Sequence, residues 1–154
     1  MPLACPLERE TYLGIIAMKK KLKKKSSQNG AELLIECLKA QGVKYIFGIP
    51  GAAVMPIMES LRVQEKNGGP KFIVTRHEQN AAFMAGAWGR ITETPGVCIA
   101  TAGPGATNLV TGVATATADR DPIVAITGET PRAEHFKKTH QTIRTATLDR
   151  KSVV

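Results

Sequence analysis

Four short apolar runs punctuate this chain: Val43–Gly48 (VKYIFG), Lys71–Thr75 (KFIVT), Val97–Ala102 (VCIATA) and Ile123–Thr127 (IVAIT). Continuous apolar runs of this length, bounded by turn residues, predict buried strands. Segments with helical spacing lie between them, over Ala52–Gln64, Glu78 to about Ile91, and Ala106–Ala118. An amphipathic helix over Ala31–Gln41 precedes the first run, with Leu34, Cys37 and Leu38 on one face and Gly42 as its stop. Asn67-Gly68-Gly69-Pro70, Thr94-Pro95-Gly96 and Asp119–Pro122 break the pattern between elements, and Gly128–His140 reads as an irregular polar loop. Strands that alternate with helices imply a parallel sheet covered on both faces. The expected fold class is therefore α/β, a doubly wound parallel sheet with right-handed crossovers and helices on both faces.

Charge alters this picture at one end only. The formal net charge of the 154 residues is +8, but Lys19–Lys25 carries six of those charges, so the rest stands at +2. A lysine run near a chain end reads as a solvated arm. Without interleaved aromatic residues as stacking platforms it does not argue for nucleic acid. Residues 1–28 are expected to be a disordered basic arm. Tyr12–Met18 (YLGIIAM) is too short to span a bilayer and precedes the lysines, the reverse of a signal peptide's order. No membrane association is expected, and Met18 is a plausible start. Cys5, Cys37 and Cys98 are widely spaced and form no CxxC or Cys/His cluster, which suits a reducing cytoplasm. His77, His135 and His140 are equally scattered, with no metal-binding HExxH spacing.

Candidate chemistry gathers at the strand exits. Arg76-His77-Glu78 forms a strand-to-helix corner after the second run. Such corners face the crevice beyond the strand ends, where ligands bind in open α/β sheets. Glu78 also has a plainer reading, an acid in the first turn of a helix, favoured by the dipole. Two glycine-rich exits, Gly48-Ile49-Pro50-Gly51 and Gly103-Pro104-Gly105-Ala106-Thr107-Asn108, fall on the same edge. The second lacks the Lys-Ser/Thr of a P-loop, and Asn108 stands where a dinucleotide fingerprint needs a small residue. The helices after Glu78 and Gly105 are dominated by Ala, Gly and Thr, which permits close backbone approach. They suit packing within the domain or a tight interface with another domain or subunit.

Taken together, Phe47–Gly51, Arg76–Ala82 and Thr101–Leu109 come in the order and spacing of the pyrimidine-binding domain of thiamine-diphosphate enzymes, and the chain resembles the acetolactate synthase group. The resemblance covers roughly residues 29–147. Pro131–Gln141 is similar to the catabolic, flavin-independent enzymes, whereas Val97–Thr101 is similar to the biosynthetic, flavin-containing ones, so the subtype stays open.

The resemblance implies that thiamine diphosphate is the cofactor and that Glu78 activates it by a hydrogen bond to N1′ of its aminopyrimidine. It implies that Pro50, Gly51, Pro104 and Asn108, with Thr101 as a weaker candidate, line the cofactor site. His140 and Gln141 would lie near the substrate. Asn108 also suits helix capping, and His140 and Gln141 also suit a solvated loop. The implied reaction decarboxylates pyruvate and joins the two-carbon unit to a second 2-oxo acid, in a homodimer or tetramer. Mg2+ would be held by a separate diphosphate-binding domain, and FAD is disfavoured. Alternatives are another enzyme with the same cofactor, or a non-catalytic binding module that pairs with a separate chain. The middle and diphosphate-binding domains are not in this sequence, so it is expected to be a fragment. Residues 148–154 are expected to be an artefactual tail, since the pattern ends after Leu148 and Asp149–Val154 match a translated sequencing adapter.

Overall fold

A computed structural model describes residues 28–134, 137 and 139–145. The expected basic arm of residues 1–28, apart from Gln28, and the expected tail of residues 148–154 lie outside the described residues. The chain divides into two units, Met1–Gly30 and Ala31–Val154. The architecture below is that of the second.

Its elements are α1 (Gly30–Ala40), β1 (Tyr45–Gly48), α2 (Met55–Glu65), β2 (Lys71–Val74), α3 (Glu78–Thr92), β3 (Gly96–Ala100), α4 (Pro104–Asp119) and β4 (Ile123–Thr127). Single 3-10 turns over Ala52–Val54 and Arg132–Glu134 complete the described structure. The strands form one parallel sheet in the order β2-β1-β3-β4. The strand order reverses direction at β1, between its neighbours β2 and β3.

Alternation along each strand separates two cores. Ile46, Val97 and Ile99 face one side, where they meet Ile35, Val54 and Leu61 from α1, the 3-10 turn and α2. Phe47, Cys98 and Ala100 face the other, against Ala81, Ala82 and Ala85 of α3 and Leu109 of α4. Trp88 closes this second core edge-on to Tyr45, with ring centroids 4.8 Å apart. The two-sided burial expected from the sequence holds at β1 and β3. It lapses at the sheet edges, where Val74 is 65% and Val124 40% exposed.

Two local expectations shift. In α1 the fully buried residue is Ile35, with Leu38 packed beside it, while Leu34 and Cys37 are only half-buried. Three successive apolar residues, Leu33-Leu34-Ile35, leave the core-facing stripe ambiguous by one position. The exit loop after β3 is also shorter than expected, because α4 begins at Pro104. Proline's fixed φ and missing N–H suit the first helical position.

The small residues of α3 and α4 serve contact between these helices. A Cβ on Gly112 would lie 2.5 Å from the Ala82 Cβ and 3.1 Å from the Gln79 carbonyl oxygen. At the far ends of both helices Arg90 bonds both Asp121 and Asp119. These two carboxylates, Asp121 chiefly, raise the guanidinium pKa further above its ordinary value. Among the described residues no helix is long and apolar enough to cross a membrane.

Candidate functional site

In a parallel sheet every strand ends on the same edge, and the crevice opens where the strand order reverses. Here that edge carries Ile49–Gly51 after β1, Thr75–His77 after β2 and Thr101–Gly103 after β3.

Glu78 is the first residue of α3. The corner that presents it is held by the chain itself. Thr75, buried to 8% exposure, donates its hydroxyl to the His77 carbonyl at 3.0 Å. His77 is the N-cap, and its Nδ1 accepts from the Gln79 backbone N–H at 3.1 Å. That bond satisfies one of the helix's otherwise orphaned donors. Neither the Thr75 contact nor the capping role of His77 was read from the sequence. A threonine two residues before a histidine cap is the available signal, and it is a weak one.

Asn108 meets Glu78 from the other side. Its Nδ2 donates to Glu78 Oε2 at 3.0 Å, and both residues are half-buried. The second oxygen, Oε1, makes no hydrogen bond among the described residues. A Cβ on Gly105 would lie 3.4 Å from it, so the absent side chain leaves that oxygen uncrowded. The carboxylate thus has one oxygen fixed and one available, within the first turn of a helix whose dipole favours negative charge.

The remaining candidates distribute around this pair. Gly51 lies against Thr101, and a Cβ on Gly51 would come within 2.5 Å of the Thr101 Cβ. Thr101 Oγ1 is buried and has no hydrogen-bond partner among the described residues. Pro50 and Pro104 are exposed, and the Pro104 carbonyl accepts from the Thr107 hydroxyl at 3.0 Å. Gln141 is half-buried and seats its backbone on Gly103, where a Cβ would lie 2.7 Å from the Gln141 carbonyl oxygen. Gln141 itself takes a left-handed φ of 63°. His140 beside it is exposed. The structure therefore brings Glu78, Asn108, Gly105, Thr101 and Gly51 into one cluster and Gln141 onto its Gly103 end. His135 lies outside the described residues.

A groove of about 280 Å³ between α3 and α4 and another of about 620 Å³ beside α2 are lined by residues other than these candidates, apart from Pro50 at the rim of the second. Among the described residues no group of three or more His, Cys, Asp or Glu could hold a metal.

A carboxyl with one uncommitted oxygen at a strand-exit crevice can accept or, when protonated, donate a hydrogen bond to a ligand there. Comparison with known proteins gives the family. Residues 28–149 match the family described as thiamine pyrophosphate enzyme, N-terminal TPP binding domain. The acetolactate synthase of Bacillus subtilis (strain 168) is 53% identical over 119 residues, 77% of this chain and 20% of that protein. The catabolic acetolactate synthase of Raoultella terrigena is 46% identical over 120 residues, 78% of this chain and 21% of that protein. The acetolactate synthase isozyme 2 large subunit of Escherichia coli (strain K12) is 50% identical over 101 residues, 66% of this chain and 18% of that protein. The chain spans about a fifth of the length of these relatives.

Proposed function

Because this chain belongs to the thiamine pyrophosphate enzyme family, matching its N-terminal TPP-binding domain, we propose that the Glu78 crevice holds the aminopyrimidine ring of thiamine diphosphate in an acetolactate synthase. The observation that carries the proposal is the Glu78 carboxylate, with Oε2 bonded by Asn108 and Oε1 uncommitted at the strand-exit edge. When bound, thiamine diphosphate supplies the electron sink that decarboxylation of a 2-oxo acid needs.

This chain's residues hold and poise it. Glu78 would hold the ring by offering Oε1, where it would accept or give a proton at N1′, and Asn108 would keep the carboxyl from rotating. Pro50, Gly51 and Pro104 line the ring's surroundings. His140 and Gln141 would lie near the substrate; the contact of Gln141 with Gly103 supports this for Gln141. Pyruvate is the donor and a second 2-oxo acid the acceptor. The diphosphate and Mg2+ belong to a second domain of a longer protein that acts as a homodimer or tetramer. The Pro131–Gln141 segment favours the flavin-independent type over one that carries FAD. The unclustered cysteines suit a cytoplasmic enzyme.

The test is Glu78→Gln in the longer protein, read by hydrogen–deuterium exchange at C2 of bound thiamine diphosphate. Glutamine keeps the size and a donor but cannot share the proton as a carboxyl group does. Proton-transfer catalysis contributes about 10²–10⁴-fold, and exchange should slow by a factor in that range. Wild-type exchange would leave Glu78 as a helix-start acid.

A further inference from the structure

Thr101 stands immediately after β3, against Gly51 of the loop that follows β1. A Cβ on Gly51 would lie 2.5 Å from its Cβ, 2.7 Å from Oγ1 and 3.1 Å from Cγ2. A Cβ on Gly105 would lie 2.8 Å from Cγ2. The β1 exit at Gly51 and the first turn of α4 at Gly105 thus both pack on one side chain, and each does so through a glycine. The hydroxyl makes no hydrogen bond among the described residues, although Oγ1 is buried. Contact by shape is what remains. Gly105 in turn stands beside Glu78 Oε1, where its Cβ would lie 3.4 Å away.

We propose that Thr101 is a positioning residue, a spacer whose side-chain body sets the gap between the Gly51 loop and the first turn of α4 at Gly105, and so the place of the Glu78–Asn108 pair. Its Cγ2 acts through Gly105, and its Cβ acts through Gly51. The hydroxyl is incidental to this role. That the pair so positioned serves thiamine diphosphate rests on the function proposed above, whereas the spacer role does not.

The experiment needs no cofactor, so its failure is separate from a failure of that function. The 154-residue chain is labelled with 15N, and two readouts are followed: the side-chain amide resonances of Asn108 and the denaturation midpoint. Gly105→Ala should shift the Asn108 amide and lower the midpoint, because the new methyl meets Cγ2. Adding Thr101→Ser removes Cγ2 and should restore more than half of both changes. Gly51→Ala should not be rescued by Thr101→Ser, because its clash is with Cβ, which serine keeps. As single changes, Thr101→Val should hold the Asn108 resonances nearer to wild type than Thr101→Ser, because valine keeps the shape and loses only the hydroxyl. This last comparison stands even where an alanine variant fails to fold. The opposite order, with serine nearer to wild type, would assign a hydrogen-bonding role and overturn the spacer. So would equal rescue of Gly51→Ala and Gly105→Ala, or a lowered midpoint with the Asn108 amide unmoved.

Discussion

Asn108 of α4 and Glu78 of α3 share a hydrogen bond of 3.0 Å, although 30 residues of chain separate them. The bond joins the first residue of α3 to the fifth residue of α4, the two helices that flank the candidate site.

That pairing predicts an energetic coupling. Removing the donor with Asn108→Ala should lower the stability of the chain by about 1 kcal/mol, the usual net value of such a bond. In a double-mutant cycle with Glu78→Ala, part of that loss should vanish, because the partner has already gone. Urea denaturation of the four proteins measures it. Strict additivity would mean that the two side chains are neighbours without an energetic link.

The close approach of α3 and α4 predicts a steric penalty. Gly112→Ala places a methyl 2.5 Å from the Ala82 Cβ and near the backbone of α3. Overpacking of this kind costs about 1–3 kcal/mol. Ala82→Gly in the same chain should recover part of the loss. Thermal denaturation decides it, and an unchanged or raised midpoint in Gly112→Ala would show that the helices part without cost.

Gly103 is strained for any other residue. Its φ of 63° and ψ of −120° suit glycine, and its face is covered by Gln141. Gly103→Ala should displace the turn at residues 139–142 and speed amide hydrogen exchange over 139–145. Unaltered exchange there would detach the Gln141 segment from the β3 exit.

Cys98 is fully buried in β3, and burial pushes its thiol pKa up to about 12. It should resist iodoacetamide at pH 8 in the folded chain and react on unfolding, as read by peptide mass spectrometry. The raised value also sets a direction with pH. Below the ordinary cysteine value near 9 both states hold the proton and stability is unaffected. Above it the unfolded state ionises first, so stability falls as pH rises toward about 12. Cys98→Ala should flatten that fall relative to wild type, and an equal slope in both would exclude the thiol as its source.

Local signals made most of the fold legible. β4 matches its sequence reading residue for residue, because Pro122 and Gly128 bound a β-rich run. Strand β1 begins two residues later than its apolar run suggested, at Tyr45. Apolar pattern marks what is buried, whereas pairing register marks what is strand. Glycine, alanine and threonine spacing in α3 and α4 foretold close approach but could not name the partner, since the same surface suits a sheet, a helix or another chain. At the site, Glu78, Asn108 and the glycine loops stood out as residue types. The bond between Glu78 and Asn108, the cap made by His77 and the grip on Thr101 depend on long-range geometry or on rotamers, which composition does not carry.

Strand order also governs when the sheet can close. β3 lies between β1 and β4, yet β1 meets it only across the whole of α2, β2 and α3, with Phe47 opposite Cys98. As the chain leaves a ribosome, β1 and β2 emerge and can pair while β1's inner edge still waits. Ile46 and Phe47 then stand without the neighbours that bury them. Distant pairings of this kind form slowly. Pulsed hydrogen exchange during refolding should therefore protect β1–β2 amides before those shared with β3, and simultaneous protection would mean that the sheet closes in one step. The interval before β3 arrives is the period in which a nascent chain of this design depends most on being shielded.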